Sequence, residues 1–255
     1  MKIASWNVNS LKVRLPQVLQ WLAEHQPDVL GLQELKIENK VFPVDELLEA
    51  GYHACFAGQK TYNGVAILSK NKPTDVTIQM ANFPDEQQRV ISATINDIRI
   101  VNVYVPNGQS VDSDKYQYKL SWLSGLRDYL KQALADHPKL VIMGDFNIAP
   151  TDSDVHDPKA WEGNVLVSEP ERAAWTELLA LGLSDSFRLF EQDPKLYSWW
   201  DYRNLGFRRN HGLRIDHLLV SDALREKCVK SYIDKAPRKL ERPSDHAPVV
   251  CELIG

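Results

Sequence analysis

The sequence predicts an α/β fold built on a mixed β-sheet, and three observations lead there. Short β-branched runs recur along the whole length, helical periodicity appears between some of them, and two of the runs are joined by a turn too tight for a crossover. The composition agrees: 255 residues, 44% hydrophobic and 25% charged, with a net charge of -4, are those of an ordinary globular chain. A chain of this length buries roughly 70–75% of its unfolded surface and needs no disulfide to hold a core.

The apolar runs predict strands at Lys2–Val8, Val29–Gln33, Gly64–Leu68, Val90–Ile95, Ile98–Val103, Leu140–Gly144, Ile215–Val220 and Val249–Leu253. Asn96-Asp97 reads as the turn of a tight hairpin. Leu15, Val18, Leu19 and Leu22 follow an i, i+3, i+4, i+7 pattern, with Pro16 placed in the first turn of that helix. Leu123, Leu126, Leu130 and Leu134 predict a second helix. Ser168 and Glu171 have capping-box spacing ahead of Trp175, Leu178 and Leu179, and Gly182 closes that third helix. Hairpins among helices indicate a mixed sheet rather than a purely parallel one. No Gly-, Pro- or Ser-rich linker divides the chain, so residues 1–255 are expected to form a single domain.

No apolar run approaches the ~20 residues of a membrane span. The opening MKIASWNVNS is too short and too polar for a secretory core. Cys55, Cys228 and Cys251 fit neither a disulfide framework nor a zinc knuckle, and read as small buried hydrophobes. A cytoplasmic location, without a membrane partner, is expected. The mild acidity excludes a uniformly basic surface, but Arg203, Arg208, Arg209 and Arg214, and then Arg238, Lys239 and Arg242, leave local basic stretches. Asp193 to Gly212 reads as a long irregular segment, and its Tyr197, Trp199, Trp200, Tyr202 and Phe207 would be costly to expose without reason.

Polar residues gather at predicted strand ends. The first strand runs into Asn7 and Asn9, the second into Gln33-Glu34, and the strand at Leu140 into Gly144-Asp145-Phe146-Asn147. Asp216-His217 sits on another, and Ser244-Asp245-His246 precedes the last. Each alone has an ordinary explanation as a turn, a cap or a solvated charge. Together they form a set that a rigid scaffold can aim at one point. Carboxylates and amide oxygens without cysteine are hard ligands, suited to magnesium or manganese rather than zinc. With an aspartate beside a histidine, the chemistry is metal-assisted attack of water on a phosphate ester.

The chain resembles the exonuclease III and apurinic/apyrimidinic endonuclease family, within the deoxyribonuclease I-like phosphoesterases. The blocks that carry the resemblance are W-N-V-N-S (Trp6–Ser10), L-Q-E-L-K (Leu32–Lys36), Y-N-G-V-A (Tyr62–Ala66), N-V-Y-V-P-N-G (Asn102–Gly108), G-D-F-N-I-A-P (Gly144–Pro150), S-W-W-D-Y-R (Ser198–Arg203), G-L-R-I-D-H (Gly212–His217) and R-P-S-D-H-A-P (Arg242–Pro248). It implies a four-layer α/β sandwich, with two mixed sheets face to face, helices outside, and the active site in a cleft at one edge. It implies magnesium, with manganese as a substitute, held principally by Glu34 with Asn7 beside it. The wider metal-facing set is Asp145, Asn147, Asp245 and His246.

On the same resemblance Tyr104 contacts the phosphate, Asn147 bonds the attacking water or the developing oxyanion, and His246 pairs with Asp216. Either Asp145 or the Asp216–His246 pair is the base. Asn107, Trp199, Arg203 and Leu213 are the DNA-facing candidates; Leu213 stands where some abasic endonucleases carry an aromatic residue. The implied substrate is duplex DNA, cut 5′ to abasic sites and trimmed or unblocked at 3′ ends, by a monomer. Two other readings are a same-fold phosphoesterase for an inositol phosphate, lipid or RNA, and a silent nucleic-acid-binding module. The S-W-W-D-Y-R and G-L-R-I-D blocks favour the DNA branch, and the intact acidic set argues against silence.

Overall fold

The apolar runs read from the sequence all become strands, and in the computed structural model, which describes residues 1–255, they sort into two sheets. In chain order the strands are β1 (Lys2–Asn7), β2 (Val29–Gln33), β3 (His53–Ala57), β4 (Val65–Ser69), β5 (Thr74–Ile78), β6 (Val90–Ile95), β7 (Ile98–Tyr104) and β8 (Leu140–Asp145). They continue with β9 (Leu183–Asp185), β10 (Trp199–Trp200), β11 (Gly212–Leu213), β12 (Asp216–Ser221), β13 (Cys228–Ile233) and β14 (Val249–Leu253).

The first sheet has the order β13-β14-β1-β2-β4-β3 and the second β5-β6-β7-β8-β12-β9, each six-stranded. Both are mixed. β1 runs parallel to β2 and β7 parallel to β8, while the other pairs are antiparallel. Each parallel pair is joined by a helical crossover: Leu11–His25 in the first sheet and Asp114–Asp136 in the second. The Asn96-Asp97 turn has φ of 54° and 63°, the paired left-handed backbone of a type I′ hairpin, and sets Ile95 opposite Ile98.

The two sheets face each other across an apolar layer that includes Ile3, Val29, Ile67, Ile100, Val141 and Leu218. Each such side chain contributes roughly 1.5–3 kcal/mol on full burial. On the outer face of the first sheet, Val18, Trp21 and Leu22 of Leu11–His25 close a second core; on the outer face of the other, Leu123, Leu126 and Leu130 join Trp175 and Leu178 in a third. The result is helix, sheet, sheet, helix. At Gly31 a Cβ would lie 2.5 Å from Met143 Cε and 3.0 Å from the Asn102 carboxamide, so a side chain there would have to displace both between the sheets.

The Ser168–Glu171 capping box forms as read, and Gly182, at φ 91°, turns the chain after helix Glu169–Leu179. One placement differs. The first helix already begins at Leu11, so Pro16 falls in its second turn, not its first. The Asp193–Gly212 segment is also less irregular than expected: β10 and β11 pair at its ends, and Gly206–Arg209 forms a short helix between them.

This topology puts chemistry at one edge. The parallel strands β1 and β2 end at Asn7 and Gln33, and the parallel strands β7 and β8 end at Tyr104 and Asp145. β12 is antiparallel to β8 and starts at Asp216, opposite Asp145. β14, antiparallel to β1, starts at Val249, just after Asp245 and His246.

Candidate active site

Asn7, on β1, ties the two sheets together at this edge. Its Nδ2 donates to Glu34 Oε1 at 2.9 Å and to Asp145 Oδ2 on the opposite sheet at 2.8 Å. Its Oδ1 turns away and accepts from the Asn9 backbone N–H at 3.0 Å, so the nitrogen, not the oxygen, faces the carboxylates. Glu34, just beyond β2, has φ 52°, and Asn9, Lys36 and Asn147 share that left-handed backbone. Non-glycine residues in this region store strain, and these four lie at this edge. At Gly144 a Cβ would lie 1.9 Å from Val103 O, so only glycine lets β8 deliver Asp145 this close to β7.

Glu34, Asp145 and His246 offer ligand atoms that all lie within 4.8 Å of one another, a spacing at which one cation can be held. Burial acts to raise the Glu34 pKa, but the Lys36 ammonium at 2.9 Å, the Asn7 amide and His246 hold it below its ordinary value. Asp145 goes the other way. Burial pushes it up to about 7, with Asp216 and Glu34 adding to the rise and His246 opposing it. Burial alone would lower His246; Asp216 and Asp145 reverse that and push it up to about 10. Its Nδ1 is 2.8 Å from Asp216 Oδ2, and its Nε2 is 3.7 Å from Asp145 Oδ2.

Asp216 is itself fixed from behind by the Ser198 hydroxyl, which donates to Oδ2 at 2.6 Å while accepting from the backbone N–H groups of Ile215 and Asp216. Asn147 is oriented too. Its backbone N–H donates to Asp145 Oδ1, its Nδ2 donates to Val105 O at 2.9 Å, and its Oδ1 accepts from Asn107 Nδ2 at 3.2 Å. With the oxygen engaged, the second Nδ2 hydrogen is the group left to offer. Burial pushes the Tyr104 phenol well above its ordinary range, with Glu34 and Asp145 adding to it, so it stays protonated and able to donate. A cleft of about 780 Å³ opens beside Tyr104, lined by Tyr62, Arg89, Asn107, Lys115 and Tyr118 among others.

The family model for the Endonuclease/Exonuclease/phosphatase family matches residues 4–246. The chain belongs to that family. Exodeoxyribonuclease III of Haemophilus influenzae is 38% identical over 99% of this chain and 100% of its own. A 3′ phosphatase from Neisseria bound to a product DNA hairpin superposes with a TM-score of 0.98 at 47% identity, covering all of both chains. An AP endonuclease from Archaeoglobus fulgidus gives 0.94 at 41%, again over all of both. The family's two-sheet sandwich is the architecture found here.

Within this family frame, Asn7, Glu34, Tyr104, Asn107, Asp145, Asn147, Asp216 and His246 converge on one edge of the sandwich. Asp245 lies at its rim, where its carboxylate is taken by Asn9 Nδ2 and Trp199 Nε1, both at 3.0 Å, and it stands outside the cation-sized cluster. Arg203 projects into solvent and pairs with Asp201. Leu213 departs from its expected DNA-facing position. It is fully buried, paired with Trp199 across β10–β11 and bridged to Val155, inside a small apolar cluster with Ala149 and Ile215. The sequence reading assigned no role to Ser198, Arg89 or Lys119, although Ser198 opens the S-W-W-D-Y-R block and Lys119 places a charge on the apolar stripe four residues before Leu123.

Proposed function

We propose that this chain is a single-domain, magnesium-dependent DNA-repair phosphodiesterase. In this reading it hydrolyses duplex DNA on the 5′ side of abasic sites and removes nucleotides and blocking groups from 3′ ends. The observation that carries the proposal is the meeting of Glu34, Asp145 and His246 within 4.8 Å at the sandwich edge, backed by Asp216. Relatives whose names record exodeoxyribonuclease, AP endonuclease and 3′ phosphatase activities support the substrate class.

The donor set fits a hard cation: two carboxylates with no thiolate, one of them held ionised by its neighbours. Magnesium, or manganese in its place, would be held by Glu34 and Asp145. Asn7 can join only by turning its oxygen inward; His246 lies within the same cluster but is held protonated, and Asp245 stands further out. When bound, the ion polarises the phosphate oxygens and the attacking water.

The chain's own groups supply the rest. Asp145 takes the proton of the attacking water, since a carboxylate pushed up to about 7 is matched to a base working near neutrality. His246, held as imidazolium by Asp216, places positive charge where the phosphate becomes more negative. Asn147 Nδ2 and the Tyr104 hydroxyl donate to phosphate oxygens. Water adds to phosphorus and the bond to the 3′ oxygen breaks, leaving a 3′ hydroxyl; on a 3′-phosphate end the same event releases inorganic phosphate. Base identity matters little, because these groups address phosphate and sugar. Tyr62, Arg89 and Lys115 would track the backbone beside the site, with Trp199 and Arg203 on the other flank. We read the protein as a cytoplasmic monomer.

A second reading, 3′-end processing without abasic incision, draws on the burial of Leu213 and on the likeness to the Neisseria 3′ phosphatase. Two labelled duplexes separate them: one with a central abasic-site analogue, one intact with a recessed 3′ end, each with magnesium and with EDTA. Cleavage of both in magnesium is expected. Digestion of the recessed end alone establishes the second reading, and silence on both overturns the DNA assignment.

A further inference from the structure

Lys119 is fully buried, on the inner face of helix Asp114–Asp136, and its ammonium is directed at the backbone of the site. It donates to Asn147 O at 2.6 Å and to Asn107 O at 3.1 Å, and its third contact is the carboxylate of Glu171, also fully buried. Three donors meet three acceptors. Glu171 is anchored in turn: Leu166 N–H, Ser168 N–H and the Ser168 hydroxyl all donate to it. One ion pair therefore ties the turn after β7, the turn after β8 and two helices of the outer layer to a single point.

Stability is a poor reason to keep such a pair. Burying two charges costs desolvation that their attraction only about offsets, and apolar replacements of similar volume are often no less stable. Two neutral donors would satisfy the carbonyls of Asn107 and Asn147. What the ammonium adds is geometry. It fixes both asparagine backbones against one another, and Asn147, at φ 50°, holds a conformation that persists only where its surroundings over-determine it. The side chains of the same two residues are bonded to each other on the cleft side.

We propose that the Lys119–Glu171 pair is a positioning device that sets the carboxamides of Asn107 and Asn147 against the substrate phosphate without touching it. The inference rests on the phosphodiesterase reading, in which Asn147 donates to the phosphate. Lys119→Met alone would leave Glu171 buried without its cation and destabilise the chain. The informative variant is therefore Lys119→Met with Glu171→Gln, which removes both charges and keeps the shapes.

The test is a cycle of four proteins on the recessed 3′-end duplex in magnesium: wild type, the double variant carrying Lys119→Met and Glu171→Gln, Asn147→Ala, and all three changes together. The double variant leaves the carbonyls of Asn107 and Asn147 without their donor and is expected to melt below wild type but to stay fully folded at the assay temperature, with KM nearly unchanged and kcat lowered about 10–100-fold, the scale of an ångström's misplacement. In the Asn147→Ala background the same two changes are expected to cost less than about 3-fold, because the group they position is gone. An undiminished kcat in the double variant, beside an impaired Asn147→Ala, overturns the proposal. So does an equal loss in both backgrounds, which marks general damage. A wild-type rate for Asn147→Ala overturns the underlying role of Asn147 instead, and is seen separately.

Discussion

The His246 ring is held against Asp216, with Nδ1 2.8 Å from Oδ2 and 3.1 Å from Oδ1, and the other side of that carboxylate is taken by Ser198. A histidine between two carboxylates is held cationic, which in the proposed mechanism makes its contribution charge rather than proton abstraction. Asp216→Asn removes the largest of the influences that raise His246 and leaves only Asp145 and Asp245 to oppose burial. We expect kcat to fall by about 10²–10⁴-fold with duplex affinity within a few-fold. Turnover within about 3-fold of wild type would remove the pair from the mechanism.

Glu34 anchors the cation-sized cluster. Glu34→Ala should slow cleavage by orders of magnitude and shift the magnesium titration to higher concentration, with circular dichroism unchanged. A wild-type rate at low magnesium would refute the ligand assignment.

Asp145 is costly to ionise in its folded position. Its folded pKa, near 7, lies above the ordinary 3.8. The folded state therefore holds this proton more tightly than the unfolded chain, and the cost of ionising it in place accumulates as pH rises from 3.8 through 7. Asp145→Asn should abolish cleavage, spare DNA binding and, in EDTA at pH 8, raise the melting temperature by about 2–4 °C for each kcal/mol relieved. A lower melting temperature would mean that the carboxylate stabilises the fold.

His217 sets an acid limit away from the reacting groups. Burial, with the Arg214 charge beside it, pushes its pKa down to about 4 from 6.5, and it is locked as the neutral ring that donates to Ile148 O and accepts from Arg214. The folded state resists protonation that the unfolded chain accepts. The stability this represents, about 3 kcal/mol, is present in full above pH 6.5 and is lost as pH falls toward 4. Urea titrations across that window should show the slope in wild type and a flatter one in His217→Gln. Parallel slopes would place the acid sensitivity elsewhere.

The strands that were legible in the sequence are those buried on both faces, such as β4 and β8, whose apolar runs are continuous. Those that were not are edges and fragments. β5 is exposed at every position, β13 alternates poorly and carries a bulge, and β10 and β11 are two residues each. Periodicity has nothing to register there. The cluster of polar groups at one edge was legible because strand ends concentrate it, whereas the burial of Leu213 was not. Leu213 sits in a motif-like block, yet its burial is decided by pairing with Trp199 and Val155, residues far from it in sequence. Lys119 was hidden by the opposite effect, since a lysine on a helix ordinarily reads as surface.

The active centre is built astride the seam. Asn7 and Glu34 come from the first sheet, Asp145 and Asp216 from the second, and the bond from Asn7 to Asp145 crosses the gap at 2.8 Å. Neither half holds a working fragment, so catalysis doubles as a gauge of how well the halves are seated. In mild denaturant, slippage between the two layers should extinguish cleavage while each layer keeps its own ladder of backbone bonds.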